Sequence, residues 1–376
     1  VPRRSETTLT PEVLYVMPPG KHFGPLRATS IDLDTRDFVR FSQYRETTRV
    51  VVDKVDPLFE RVNTIFYPDR SVTADATAAS HVGKVASEVD ADVIVVQQRL
   101  PLAARIARAA PQARIVLHTH NFQKNFADRP AVERLIRMPY RRYLYRQLDG
   151  IIHVSETCEK DYLQHWGDIG VPSAVIGNGL DFCEWEPRAA RAQEVLCVAR
   201  FAPEKGVLEA ALAAAQVLPE FPDWTMRFIL SEVDRHPRYW AEFHAAASQF
   251  HDQVRIEKDQ PFDQVKAAYE QVAIALVPSK WVEPFGRTAL EAHAGGAALI
   301  SSGSGGLSEI SGETALMLSE VSSGSIARAL RLLMTNAQRR GELAKAGAER
   351  VRIHFDIRQQ AAALDQFIEH IAYVEK

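Results

Sequence analysis

An α/β fold of two doubly wound, parallel-sheet domains is predicted for this chain of 376 residues. Three observations predict it. Short apolar runs alternate with helical stretches, which is the grammar of βαβ units. Glycine-bearing loops follow several of the runs, at the carboxyl ends where open parallel sheets bind ligands. The alternation restarts after Glu186-Pro187, so there are two series.

The elements follow in order. Val13-Leu14-Tyr15-Val16-Met17 reads as a buried strand feeding the loop Pro18-Pro19-Gly20. Val50-Val51-Val52 and Val93-Ile94-Val95-Val96 are further strands, and Pro101–Ala110 has helical composition. Arg114–His120 is a strand with histidines at its carboxyl end, Gly150–Ser155 is another, and Ser173–Ile176 closes the half after a helix over Glu156–Trp166. Polar Arg188–Gln193 is expected to link the domains. The second series runs through a strand over Glu194–Arg200, a helix over Lys205–Val217, and strands over Met226–Leu230, Val254–Ile256, Ile274–Val277 and Ala297–Ser301. Ile357–Tyr373 has helical apolar spacing.

Composition narrows the function. Hydrophobic residues make up 46% and charged residues 25%, with a formal charge of −3, so bulk nucleic-acid binding is not expected. No apolar run is long enough to span a bilayer, and no apolar core follows Arg3-Arg4 as a signal peptide requires. Cys158, Cys183 and Cys197 are scattered without a C-x-x-C, which argues against disulfides or a zinc site and for a cytoplasmic protein.

The most informative stretch is Glu283-Pro284-Phe285-Gly286-Arg287-Thr288-Ala289-Leu290-Glu291. A helix rises about 1.5 Å per residue, so carboxylates eight positions apart span roughly 12 Å, about the reach from a hexose across a diphosphate to a ribose. One carboxylate can accept from sugar hydroxyls and the other from ribose hydroxyls, while the first helical turn offers N–H groups to phosphate. The plainer reading is a turn and an ordinary helix with two glutamates. The context favours the first: a strand ending Pro278-Ser279 precedes the stretch, and a strand ending in Gly303-Ser304-Gly305-Gly306-Leu307 follows.

The run from Pro278-Ser279 to Ile310, with Glu-x-Phe-Gly, a second Glu eight residues after the first, and Gly305-Gly306-Leu307-Ser308-Glu309, resembles the donor-binding signature of family-4 retaining glycosyltransferases of the GT-B architecture. The resemblance implies two Rossmann-like domains facing across a cleft, over 1–187 for the acceptor and 188–355 for the donor. It also implies a last helix, 356–376, crossing back to the first domain. It implies a nucleoside-diphosphate hexose as donor, a glycan or lipid-linked acceptor, and a place in bacterial surface polysaccharide or lipopolysaccharide synthesis. No cofactor is implied, and no metal: Asp32-Leu33-Asp34 reads as a helix start.

Residue by residue, Arg200 and Lys205 resemble the family's Gly-Arg-x-x-x-x-Lys-Gly pair, with Ala199 in place of the first Gly, and would hold the diphosphate. His120, two positions after His118, would contact the donor sugar near its reacting carbon. Glu283 would hold hexose hydroxyls and Glu291 the ribose, with Phe285, Gly286, Arg287 and Thr288 lining the donor site. Gly20 and Gly24 bracket a loop where backbone can approach an anion or sugar, or which is an ordinary turn. Gln260 would meet the nucleobase, and Leu230-Ser231-Glu232 departs from the glycine pair usual there. Trp281 and Phe285 either line the sugar pocket or pack. Asn178-Gly179-Leu180-Asp181 resembles an element near the domain junction and reads foremost as a tight turn.

One segment stands apart. From Lys124 to Arg146, seven cations stand against Asp128 and Glu133, interleaved with apolar and aromatic residues through Leu148. Two readings are open: a solvated helix with a core-facing stripe, or contact of 124–148 with an anionic membrane on its cytoplasmic, inner face. Rival functions on the same architecture are a sugar-nucleotide epimerase, a phosphorylase or a non-catalytic nucleotide-sugar-binding subunit. A serine hydrolase is rejected for want of Gly-x-Ser-x-Gly spacing.

Overall fold

A computed structural model of the protein describes residues 10–68, 74–122, 130–248 and 252–373. The chain forms two compact units: residues 1–179 with 357–376, and residues 180–356. The first break thus falls after Gly179, ahead of the expected 187.

The first unit carries a seven-stranded parallel sheet: β1 (Val13–Val16), β2 (Thr48–Val52), β3 (Thr64–Phe66), β4 (Val93–Gln97), β5 (Arg114–Thr119), β6 (Gly150–His153) and β7 (Ser173–Val175), in the order β3-β2-β1-β4-β5-β6-β7. The unbroken apolar runs are explained by burial: β1 and β4 are buried at every position, as strands covered by helices on both faces must be. The helices are α1 (Ser30–Phe41), α2 (Asp75–Glu88), α3 (Leu100–Ala109), α4 (Ala131–Tyr145) and α5 (Glu156–Trp166). Asp32 is a helix-start residue as expected: its carboxylate accepts the Thr29 N–H at 2.7 Å in a reciprocal capping box.

The second unit carries a six-stranded parallel sheet: β8 (Ala192–Arg200), β9 (Thr225–Ser231), β10 (Val254–Lys258), β11 (Val272–Val277), β12 (Ala298–Ser301) and β13 (Leu316–Met317), in the order β10-β9-β8-β11-β12-β13. Its helices are α6 (Val207–Val217), α7 (Pro237–Ala247), α8 (Phe262–Tyr269), α9 (Arg287–Ala294), α10 (Gly306–Ser311), α11 (Ser323–Thr335) and α12 (Ala337–His354).

Two expectations are corrected here. Arg188–Gln193 does not link the units but lies within the second one, which begins at Leu180. The Arg191 guanidinium donates to the carbonyls of Glu270 (3.1 Å) and Gly295 (2.7 Å), and Ala192 already belongs to β8. The helix expected from Lys205 starts at Val207, because Gly206 takes a left-handed conformation (φ 68°) between a short 3₁₀ turn and α6.

The last helix, α13 (Ile357–Tyr373), packs within the first unit. Asp365 accepts from the Ser42 hydroxyl and the Gln43 N–H, both at 2.7 Å, at the carboxyl end of α1. A Cβ on Gly150 would come within 3.0 Å of the Phe367 ring, and one on Gly179 within 2.6 Å of the Ile357 Cα, so both glycines make room for this helix.

Candidate functional site

In each sheet the strand order reverses between a pair of strands, β1 and β4 in the first unit and β8 and β11 in the second. The loops leaving such a pair diverge to opposite faces and open a crevice at their carboxyl ends. Gly20, Gly24, Arg200, Lys205, Glu283, Phe285 and Gly286 lie at the ends of these strands or on the loops leaving them, whereas His120 follows β5, Gln260 follows β10 and Glu291 lies within α9.

In the second unit, β8 ends at Arg200 and delivers Lys205, while β11 ends at Val277 and delivers Glu283. The Lys205 Nζ lies 2.5 Å from Glu283 Oε1, with side chains 20% and 12% exposed. The loops are sewn together: the Glu204 carbonyl accepts from the N–H groups of Lys280 (2.8 Å) and Trp281 (3.1 Å). Gly206 permits this approach, since a Cβ there would strike the Pro278 carbonyl oxygen. Arg200 stands beside the pair, its guanidinium 2.7 Å from the Glu204 carboxylate. Burial pushes the Glu204 carboxyl upward, but hydrogen bonds to backbone and to Arg200 outweigh it and leave its pKa lowered. A basic pair and an acidic pair thus share one rim.

The glycines after β12 complete the rim. Glu283 and Gly305 form a parallel β-bridge, and the Gly306 N–H donates to the Glu283 carbonyl at 2.7 Å. A Cβ on Gly305 would collide with the Glu283 carbonyl, and one on Gly306 would lie 2.6 Å from the Phe285 Cα. The Gly-Gly sequence therefore fixes the Glu283 backbone. Gly286 (φ 99°) caps α9 in the left-handed region, and the helix begins at Arg287. Its first N–H groups, with that of the partly exposed Thr288, precede any intrahelical acceptor.

Glu291 is only 5% exposed. Burial raises its pKa, and Arg287, whose Nε donates to Oε1 at 2.8 Å, opposes that rise. Arg287 also lies over the Phe262 ring, 5.7 Å from its centroid. The structure places Arg287 as the charge partner and orienter of Glu291. Of the two aromatic candidates, Phe285 is buried and packs edge-on to Phe355 at 5.9 Å, whereas Trp281 is exposed next to the site. Gln260 sits on the surface after β10, its amide donating to the Lys258 carbonyl at 3.2 Å. At the neighbouring β9 end, Glu232 is left-handed (φ 58°) and its N–H donates to Asp259 at 3.1 Å, so Ser231 and one acid stand where the resemblance implies a glycine pair.

In the first unit, Gly20 follows β1 in a left-handed conformation (φ 84°), and its N–H already donates to Asp53 at 2.5 Å. Gly24 is a packing glycine, since a Cβ there would run into the Pro57 carbonyl. His120 follows β5 and is buried. Its backbone N–H donates to Gln98 Oε1 at 2.5 Å, and its Nε2 meets Gln97 Oε1 at 2.6 Å. The Gln97 oxygen can only accept, so the Gln97 amide as placed assigns the ring proton to Nε2. Burial lowers the His120 pKa to about 3, which keeps the ring neutral. His118 stacks 4.2 Å away, centroid to centroid, inside the unit and is driven well below the usual histidine range by burial, then by His120 and His153. His120 is thus the histidine at the strand's end. Gln97 and Gln98 were not anticipated; polar residues directly after Val93–Val96 were the available signal. Gln98 is itself left-handed (φ 61°), a backbone state that non-glycine residues adopt at a cost of about 1 kcal/mol or more.

Among the described residues no cluster of three or more His, Cys, Asp or Glu side chains could hold a metal ion. No described helix is long and apolar enough to cross a membrane.

Comparisons with known proteins bear on the family and the fold. Residues 186–350 match the family model described as glycosyl transferases group 1, and residues 41–182 match that of glycosyltransferase family 4. Glycogen synthase of Mycobacterium tuberculosis is 28% identical over 230 residues, 60% of this chain and 55% of that enzyme. The lipopolysaccharide core biosynthesis mannosyltransferase LpcC of Rhizobium leguminosarum bv. viciae is 23% identical over 240 residues, 60% of this chain and 65% of that protein. The chain therefore spans little more than half the length of the curated relatives it matches. A crystal structure of HepE from Anabaena in complex with UDP superposes with a TM-score of 0.76 at 19% identity, covering 96% of this chain and 100% of that one, a likeness that speaks for the fold.

Proposed function

We propose that this chain, whose two halves match the group 1 and family 4 glycosyltransferase models, is a retaining hexosyltransferase of GT-B architecture that takes its sugar from a nucleoside diphosphate. The acceptor is a hydroxyl of a glycan or lipid-linked saccharide at the cytoplasmic face of a membrane, in surface polysaccharide or lipopolysaccharide synthesis. The observation that carries the reading is the meeting of Lys205 with Glu283 at the strand-order reversal of the second unit, with Arg200 on the same rim.

The chemistry follows from charge. As the bond from C1 to the phosphate oxygen breaks, negative charge grows on the diphosphate and positive charge on the sugar. Arg200, Lys205 and the opening N–H groups of α9 stabilise the diphosphate. These side chains supply positive charge, and we propose no metal in the step. Both cations are held by carboxylates in the structure, so the diphosphate takes over partners that Glu204 and Glu283 hold. Glu283, released from Lys205, turns to the hexose hydroxyls. Glu291, braced by Arg287, accepts from the ribose hydroxyls, while Phe285 and Gly286 shape the turn between them. The acceptor oxygen bonds to C1 from the face the phosphate leaves, and its proton passes to the leaving phosphate oxygen. In the first unit, Gly20 and the neutral His120 are assigned to sugar hydroxyls at the strand ends. Gln260 is assigned to the nucleobase.

The test is a thermal-shift panel of UDP-, GDP- and ADP-sugars, repeated with Glu291→Ala and Lys205→Ala. A stabilising shift with one nucleotide family, lost in both variants, is the expected result. Absence of a shift with every sugar nucleotide overturns the proposal.

A further inference from the structure

Helix α4 turns an apolar stripe outward. Val132, Leu135, Ile136, Tyr140 and Tyr143 follow helical spacing and are 70, 76, 68, 55 and 45% exposed. The stripe is not the packing face. That face carries Leu144 and Tyr145, which are buried in the first unit's core, with Tyr145 edge-on to Tyr162 at 5.2 Å. Single exposed apolar residues are ordinary, but five in register on one helix mark a contact surface.

The charge around the stripe says what it contacts. Arg137, Arg142 and Arg146 are exposed along α4, and Arg137 has Glu133 within 3.6 Å as its acidic neighbour on the helix. Arg108 of α3 extends the surface: it donates to the Tyr143 hydroxyl at 3.0 Å and lies 5.7 Å from that ring's centroid. Arg108 also lines a groove of 740 Å³ between α2 and α3, together with Lys84 and Arg105 and against the single acid Glu88. Basic headgroup-sized ground therefore continues from the apolar stripe. Lys124, Asp128 and Arg129 of the expected segment lie outside the described residues.

We propose that α4 docks on an anionic phospholipid surface. Its apolar stripe enters the boundary between headgroups and acyl chains, while Arg137, Arg142, Arg146 and Arg108 engage lipid phosphates. A second copy of the chain fits poorly, because two-fold pairing of α4 would set these arginines against their own counterparts. A nucleic acid would leave the aliphatic stripe uncovered. The proposal deepens the lipid-linked acceptor in the reading above, yet its test does not pass through nucleotide binding.

The experiment is co-sedimentation of the full chain with vesicles of phosphatidylcholine alone or mixed with phosphatidylglycerol. Binding is expected only with phosphatidylglycerol and is expected to weaken as salt is raised. The double variant Leu135→Glu/Ile136→Glu should lose about tenfold or more in partitioning, since it removes apolar contact and adds two charges of the wrong sign. Arg142→Ala/Arg146→Ala should bind more weakly and with a flatter salt dependence. Unchanged melting temperatures show that the variants fold. The proposal is overturned if the wild-type chain ignores phosphatidylglycerol vesicles or if the glutamate variant binds as well as wild type. It is equally overturned if the chain instead forms a concentration-dependent dimer that Leu135→Glu abolishes. Loss of all sugar-nucleotide shifts with vesicle binding intact would fault the enzymatic reading and leave this one standing.

Discussion

Replacing Lys205 with alanine puts the central contact to a quantitative test. Two unit charges about 4 Å apart attract by about 4 kcal/mol at an effective dielectric of about 20. Desolvation and side-chain ordering cancel much of that for a pair whose side chains are 20% and 12% exposed. What Lys205→Ala exposes is the cost of a largely buried Glu283 carboxylate without its ammonium, about 1–3 kcal/mol of stability. For the nucleotide, one charge-assisted hydrogen bond to phosphate is worth about 1.5–3 kcal/mol, so the dissociation constant should rise by about 10- to 150-fold. Glu283→Ala should act with the opposite sign on the bare nucleoside diphosphate. It frees Lys205 from its competitor and tightens binding by about threefold to tenfold, while the intact sugar nucleotide binds more weakly for want of a hydroxyl acceptor. Isothermal titration of both ligands against wild type, the two single variants and the double variant separates these terms. The reasoning is refuted if Lys205→Ala binds the diphosphate within about twofold of wild type, or if Glu283→Ala loses the bare diphosphate as severely as Lys205→Ala does.

Three further outcomes are expected. Gly206→Ala forces a side chain into a left-handed position (φ 68°) and against the Pro278 carbonyl, and should lose about 2–4 kcal/mol in urea unfolding together with nucleotide affinity. Arg287→Ala strands Glu291 at 5% exposure and should cost about 3–5 kcal/mol. Because burial already raises the Glu291 pKa and the variant raises it further, the stability retained at low pH is lost as pH climbs through the folded value. The deficit read by urea unfolding should therefore widen as pH rises above the ordinary glutamate range. His293, fully buried against Ser311 and Gly347, has its pKa lowered to about 3 by burial, then by Arg350. Its contribution is complete above the unfolded value of about 6.5 and fades as pH falls toward the folded one, so His293→Gln should flatten the acid limb of the stability profile by about 1.4 kcal/mol per pH unit.

The strands were legible where burial is total. Val13–Val16, Val93–Gln97 and Val272–Val277 are buried at every position and read as continuous apolar runs. Two edge strands were not: Thr64–Phe66 is only partly covered and Leu316–Met317 has two residues, too little for any period to register, whereas the edge strands Ser173–Val175 and Val254–Lys258 were read. Lys205 and Glu283 were singled out through the motifs that carry the family resemblance, and the structure brings their side chains to 2.5 Å. The role of Gln97 depends on the β4–β5 register, which sets Gln97 opposite His118 and so brings its amide to His120, and no local pattern encodes that. Polar composition misled at Arg188–Gln193. The Arg191 guanidinium is spent on backbone carbonyls rather than water, and a sequence does not announce which arginines do this.

The return of α13 also imposes an order of assembly. Residues 180–356 are contiguous, so that unit holds all its parts as soon as it leaves the ribosome. The other unit begins first and finishes last: until Ile357–Tyr373 emerges, Ser42 and Gln43 wait for Asp365, and the space above Gly150 waits for Phe367. A premature stop near residue 356 would therefore spare the later-made unit and leave the earlier-made one open, with its first-helix end and sheet face exposed to chaperones and proteases.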